Sequence, residues 1–136
     1  MVRAGAMTIA RIGRAIVSLM STEEDLDVWR LAMDLAVEVH RLSLKLPAQE
    51  RKGLADQLRR SASSVPANIA EGHARRHKRE FLQFLSIAQG SMAELRCHLD
   101  LAQRLAFLPP RELRLARHYH ERTGKMLTKL VRSITL

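Results

Sequence analysis

Two groups of cations carry most of the chemistry this sequence offers. The segment "HARRHKR" holds Arg75, Arg76, Lys78 and Arg79 within five positions. Farther on, Arg114, His118, Arg122, Lys125, Lys129 and Arg132 recur at steps of four, four, three, four and three, which is one helical face. No acid interrupts that row. Like charges at this spacing repel. A phosphate backbone would relieve the repulsion and release its counterions. Few Asn, Gln or aromatic residues accompany the cations, so the expected contact is salt-sensitive and sequence-tolerant. Nucleic-acid contacts are therefore expected at Arg75, Arg76, Lys78, Arg79, Arg114, Arg122, Lys125, Lys129 and Arg132. Each group also has a plain structural use. The row can be a solvated face, and the first cluster can satisfy the last carbonyls of a preceding helix. At the start of a following helix, the same cluster opposes the dipole.

Other chemistries find little support. The sequence has no GxSxG, no Gly-rich phosphate loop and no isolated pair of carboxylates. Cys97 lacks the surroundings of a nucleophile motif. The chain is expected to be non-enzymatic, with no catalytic residue. Two sets could approach a metal: His73, His77 and Glu80, and Glu94, Cys97 and His98. Neither has the spacing of a zinc module or of HExxH. No metal and no cofactor are expected. His40, on an apolar stripe, reads as a hydrogen-bonded core or interface residue. Asn68 and Glu71 read as ties between helices.

The elements that must hold these residues are helices. The chain has 136 residues, 46% hydrophobic but only 4% aromatic. That composition favours helix over strand. A first helix is expected from about Glu24 to Lys45, with two apolar stripes. Leu26, Trp29, Met33, Val37, His40 and Leu44 form one. Val28, Leu31, Leu35, Val39, Leu42 and Leu46 form the other, nearly opposite. A rim helix of a lone bundle needs one stripe. Two mean either a central helix or an intermolecular contact; a small bundle favours the contact, assigned to Val28, Trp29, Leu31, Leu35 and Val39.

A second helix is expected to begin near Pro47. Leu54, Leu58, Ser61, Val65, Ile69 and Gly72 keep one register straight through Pro66. The helix should therefore bend at Pro66 and continue, with Ser63 and Ser64 offering hydroxyls to the disturbed backbone. Ser63, Ala67 and Ala70 would let a neighbour approach, and Gly72 would end the helix. A third helix spans about Lys78 to Ala106, on a stripe from Phe81 to Ala102. Gly90-Ser91 within it reads as a site of close packing. A fourth, from Pro110 to about Ser133, buries Leu115, Ala116, Tyr119, Thr123, Met126, Leu127, Leu130 and Ile134. The expected fold is all-α, an up-down four-helix bundle over residues 23–136. Residues 1–22 read as a disordered or frayed extension, and Met20 offers an alternative start.

Net charge is +9. Residues 1–72 carry +1 of it and residues 73–136 carry +8. Such asymmetry points to nucleic acid first and an anionic membrane surface second, with solubility as the bland reading. One cysteine rules out an internal disulfide framework and suggests a reducing, cytoplasmic setting. No run approaches the roughly 18 apolar residues of a membrane span.

Three segments carry a family resemblance: "DLDVWRLAMDLAVEVHRLSLKLP", "GLADQLRRSASSVPANIAEG" and "KREFLQFLSIAQGSMAEL". In this order they resemble the four-helix-bundle family of 23S rRNA intervening-sequence proteins, over about Asp25 to Leu108. The resemblance implies a small up-down bundle that assembles into a five-fold ring, hence a homopentamer. It also brings in relatives that are accessory proteins of diversity-generating retroelements, basic rings associated with nucleic acid and a reverse transcriptase. Ala74 departs from the family pattern, where a second small or glycine residue is frequent. The N-terminal extension has no counterpart there. The first functional reading is an oligomeric bundle that engages RNA, DNA or a nucleoprotein. A protein-binding scaffold is the alternative, and a membrane-surface role for Arg11–Met20 comes third.

Overall fold

The computed structural model describes residues 23–135. The expected extension lies outside the described residues. Four helices account for nearly all of the chain described: α1 (Glu23–Ser43), α2 (Leu54–His73), α3 (Lys78–Arg104) and α4 (Pro110–Thr135). There is no strand among the described residues. Consecutive helices pack side by side and α4 closes against α1, which makes an up-down four-helix bundle. Two polar contacts mark its ends. His73 Nε2 meets Asp25 Oδ2 at 3.2 Å, joining the end of α2 to the start of α1. Lys45 donates to Glu112 Oε2 at 2.6 Å, joining the end of α1 to the start of α4. That ammonium holds the Glu112 carboxyl below the usual carboxylate range.

The core is the sum of one stripe from each helix. α1 contributes Val28, Leu31, Leu35, Val39, Leu42 and, just beyond its end, Leu46. This corrects the intermolecular role expected for Val28, Leu31, Leu35 and Val39. They are at most 8% exposed within the single chain, so no second copy can reach them. The outward stripe is the other one: Met33, Val37 and Leu44 are 38%, 66% and 82% exposed. Trp29 lies at its edge, half-buried against the core. His40 sits on that face with Nδ1 2.8 Å from the Ala36 carbonyl, an exposed, hydrogen-bonded residue. Glu38 is buried on the polar strip, where Arg41 grips it through two bonds of 2.6 and 2.7 Å.

α2 starts later than Pro47. A 3-10 turn, Ala48–Glu50, intervenes, and the helix opens after Gly53. The Glu50 carboxylate accepts from the Leu54 N–H at 3.2 Å, doing the work of a cap. The helix runs through Pro66 to His73 without a break. Ser64 does not turn to the freed backbone; its hydroxyl accepts from Asn68 Nδ2 at 2.9 Å and from Ser91 Oγ at 2.7 Å. The latter bond ties α2 to α3. Ser63 and Ala67 are exposed, with no described helix packed against them. Gly72 does not stop the helix, and its backbone shows no positive φ. It makes room: a Cβ there would lie 2.6 Å from Phe84 Cβ. Gly90 is the reverse case, because an added Cβ would meet nothing within 4 Å.

α3 ends in a left-handed cap. Ala106 adopts φ 60°, Phe107 N–H reaches the Ala102 carbonyl at 3.0 Å, and Ala106 N–H reaches Gln103 at 3.0 Å. This is the double-bonded arrangement usually given to glycine. An alanine there carries a steric cost of roughly 1 kcal/mol or more. Ala106→Gly is expected to raise stability by about 1 kcal/mol, read as a higher urea midpoint. An unchanged or lower midpoint would refute the account. In α4 the buried set is Leu113, Ala116, Thr123, Leu127 and Leu130. Leu115, expected inside, is 47% exposed, and Leu113 takes its place in the core.

Candidate nucleic-acid interface

α4 is amphipathic enough to bury one face and leave a broad polar one to solvent. Along that face Arg114, His118, Arg122, Lys125, Lys129 and Arg132 are all exposed. A trough of about 520 Å³ opens along the seam between α3 and α4. Lys125, Lys129 and Arg132 line it from α4, and Arg96 lines it from α3. Four cations from two helices thus face one concave surface. Arg114 and Arg122 do not line it.

The walls and floor are specific. Met92, Gly124 and Thr128 line the trough between the cations. His120 Nε2 lies 2.7 Å from the Met92 carbonyl, an acceptor, so Nε2 carries the proton. Among the described lining residues Glu121 is the one acid, and it pairs with Lys125 at 3.1 Å. A second depression of about 290 Å³ shares Arg96, His120 and Glu121 and extends the trough past Leu99 to Arg117. There Arg117 clasps α3, bonding Asp100 Oδ1 at 2.8 Å and Gln103 Oε1 at 2.8 Å.

The cluster at the α2–α3 connection divides. Arg75 is occupied: it pairs with Glu71 at 3.0 Å and lies 4.8 Å from the Phe84 ring centroid. That ties the connection down. Arg76, Lys78 and Arg79 are exposed. Lys78 and Arg79 stand in the first turn of α3, where His77 supplies no side-chain cap. The up-down course places this connection at the same end of the bundle as the C-terminus of α4. Sequence reasoning missed Arg96 and passed over His120. Both lie on the face where α3 meets α4. Pairing the two helices antiparallel, with Gly124 as the gap between them, was the signal to follow.

The two metal leads do not assemble. His73 turns to Asp25, and His98 Nε2 meets Glu94 Oε1 at 3.3 Å beside an exposed Cys97. No cluster of three ligating side chains forms among the described residues. No helix among them is long and apolar enough to cross a membrane.

A four-helix bundle with a cationic trough along one seam defines the class. The chain belongs to the 23S rRNA-intervening sequence protein family, which it matches over residues 24–129. It is similar to a solved protein of unknown function from the S23 ribosomal protein family of Bacteroides thetaiotaomicron. The two share 22% identity at a TM-score of 0.74, over 80% of this chain and 98% of that one. At that identity the likeness is one of fold. Among curated proteins none matches the sequence. Neither the family nor the solved neighbour is described as an enzyme.

Proposed function

We propose that this chain is a non-enzymatic, self-associating bundle that binds nucleic acid, or a nucleoprotein, without strong sequence specificity. One observation carries the reading: Arg96, Lys125, Lys129 and Arg132, from two helices, surround a single trough. Cations so gathered gain on meeting phosphates, through counterion release. Arg76, Lys78 and Arg79 add charge at the same end. The outward stripe of α1 supports self-association, with a ring of copies as its closed form. Copies would then present their troughs together. A cytoplasmic site of action goes with a nucleic-acid ligand.

The test is titration of the full chain against mixed-sequence DNA and RNA across a range of salt. Affinity should fall linearly on a log–log plot. Lys125→Ala/Lys129→Ala/Arg132→Ala should weaken binding and flatten the single-strand slope by about 2, at about 0.7 per phosphate contact. Undetectable binding at low salt, or an unchanged slope in the triple variant, would overturn the proposal. With assembly intact, that result would leave a protein scaffold as the remaining reading.

A further inference from the structure

We infer that the α3/α4 trough is a seat for unpaired nucleic acid, in which one base stacks on His120 while the neighbouring phosphates meet Arg96, Lys125, Lys129 and Arg132. This rests on the nucleic-acid reading above and narrows it from any polyanion to a single strand.

Shape is the first support. The trough of about 520 Å³ runs on into the 290 Å³ depression beside Arg117. It is an open groove along the seam of α3 and α4. An unpaired strand can turn a base into such a groove, whereas a duplex keeps its bases stacked and offers phosphates alone.

The floor is the second. Gly124 sits in the interior of α4, where glycine is among the least favourable residues. Its backbone φ is not positive, so no turn requires it. An added Cβ would meet only Met92 Cε, at 3.8 Å, an ordinary contact. Packing among the described residues therefore does not demand a glycine at 124. The missing side chain leaves open space in the lining that Gly124 shares with Arg96 and Lys125.

The third is a stacking surface. Unpaired bases are held on His rings and Arg guanidinium planes as well as on larger aromatics. The His120 ring is fixed by its 2.7 Å bond to the Met92 carbonyl, and Arg96 lines the same trough. Stacking tolerates any base, which suits a site short of Asn and Gln. Glu121 does not bar a phosphate. Its bond to Lys125 joins two exposed side chains and is weak enough to exchange.

The experiment uses fluorescent single-stranded DNA, single-stranded RNA and a duplex of equal length, with inorganic polyphosphate as competitor. The intact chain should prefer either single strand to the duplex. Gly124→Leu fills the floor without changing charge, and His120→Ala removes the ring. Each should weaken single-strand binding about tenfold, the scale of one lost stacking contact, while duplex binding and the salt slope stay as they were. Gly124→Ala should bind like the parent. Thr128→Leu, an exposed position on the same lip, repeats the filling test if Gly124→Leu does not fold. If both filling variants and His120→Ala bind single strands like the parent, while the triple-alanine variant loses them, the stacking seat is refuted and the broader function stands. Polyphosphate that displaces strand and duplex alike also refutes the seat. No binding of any nucleic acid refutes both.

Discussion

Gly72→Ala should destabilise the bundle by about 1–2 kcal/mol, and Gly72→Val by about 3 kcal/mol or more. Gly72 lies at the end of α2, buried against the first turns of α3. A Cβ at this position would stand 2.6 Å from Phe84 Cβ, 3.0 Å from Phe81 Cδ1 and 3.3 Å from the Phe81 carbonyl oxygen. The Phe84 atom is fixed to its own backbone, so no rotamer change removes the clash. The helices must separate. Overpacking of this kind costs about 1–3 kcal/mol, sometimes more. Alanine recovers about 1 kcal/mol through helix propensity, which valine recovers less fully. Against a typical total of about 5–15 kcal/mol, the valine change is a large fraction. The edge contact of His73 on Phe81 and the seat of Arg75 over Phe84 lie in the same packing. The α2–α3 connection should loosen with it. Urea unfolding of the three proteins measures the effect. A Gly72→Ala variant as stable as its parent would show that the approach of α2 and α3 is not tight.

That glycine also shows how far sequence carries. Its position at the end of an apolar register was legible, because Leu54 to Gly72 keep a helical period that Pro66 does not interrupt. Its purpose was not. A helix-ending glycine and a close-packing glycine look alike until the neighbour's side chains are placed. Gly90 was misjudged for the same reason, in the opposite direction. α4 shows a second limit. Leu113 and Leu115 are two positions apart, and a wide apolar face accepts either at its margin; only contact with α1 and α3 decides. In α1 both stripes were visible. Periodicity cannot say which of two opposed stripes belongs to the chain's own core.

The candidate site was legible only along one helix. Lys125, Lys129 and Arg132 announce themselves by spacing, because a single helix brings them together. Arg96 is 29 or more positions away from them in sequence and gives no local signal. His120 lies off the basic row, so the row's spacing does not point to it. That offset is what places it in the trough wall. A concave surface made by two helices depends on their relative register, which no residue pattern in either helix records. Arg75 makes the complementary point. It stands in the densest cluster of cations, yet Glu71 and Phe84 engage it, so charge density alone overstated its availability.

The outward stripe of α1 yields the other large prediction. If copies assemble through it, Val37→Glu should convert the assembly to monomers while leaving each bundle folded. Val37 is 66% exposed and touches no core, so the charge costs nothing in an isolated chain. At an apolar interface the same carboxylate would be buried without a partner, at about 3–5 kcal/mol. That is roughly a thousandfold in dissociation constant per contact. Leu35→Ala is the contrast. Leu35 is fully buried, so its truncation should cost about 2–5 kcal/mol of folding instead. Light scattering at micromolar concentration, with circular dichroism on the same samples, separates the two effects. A parent protein that is monomeric, or a Val37→Glu variant of unchanged mass, would remove self-association through α1 from the proposal. Dissociation has a further consequence. A ring of troughs binds a long strand at several points, and linked sites of this kind gain about 10²–10⁴ in overall affinity. The Val37→Glu monomer should therefore bind long single strands far more weakly than the parent, yet bind a fragment no longer than one trough equally well. Loss of affinity for both lengths would mean that residue 37 itself meets the ligand.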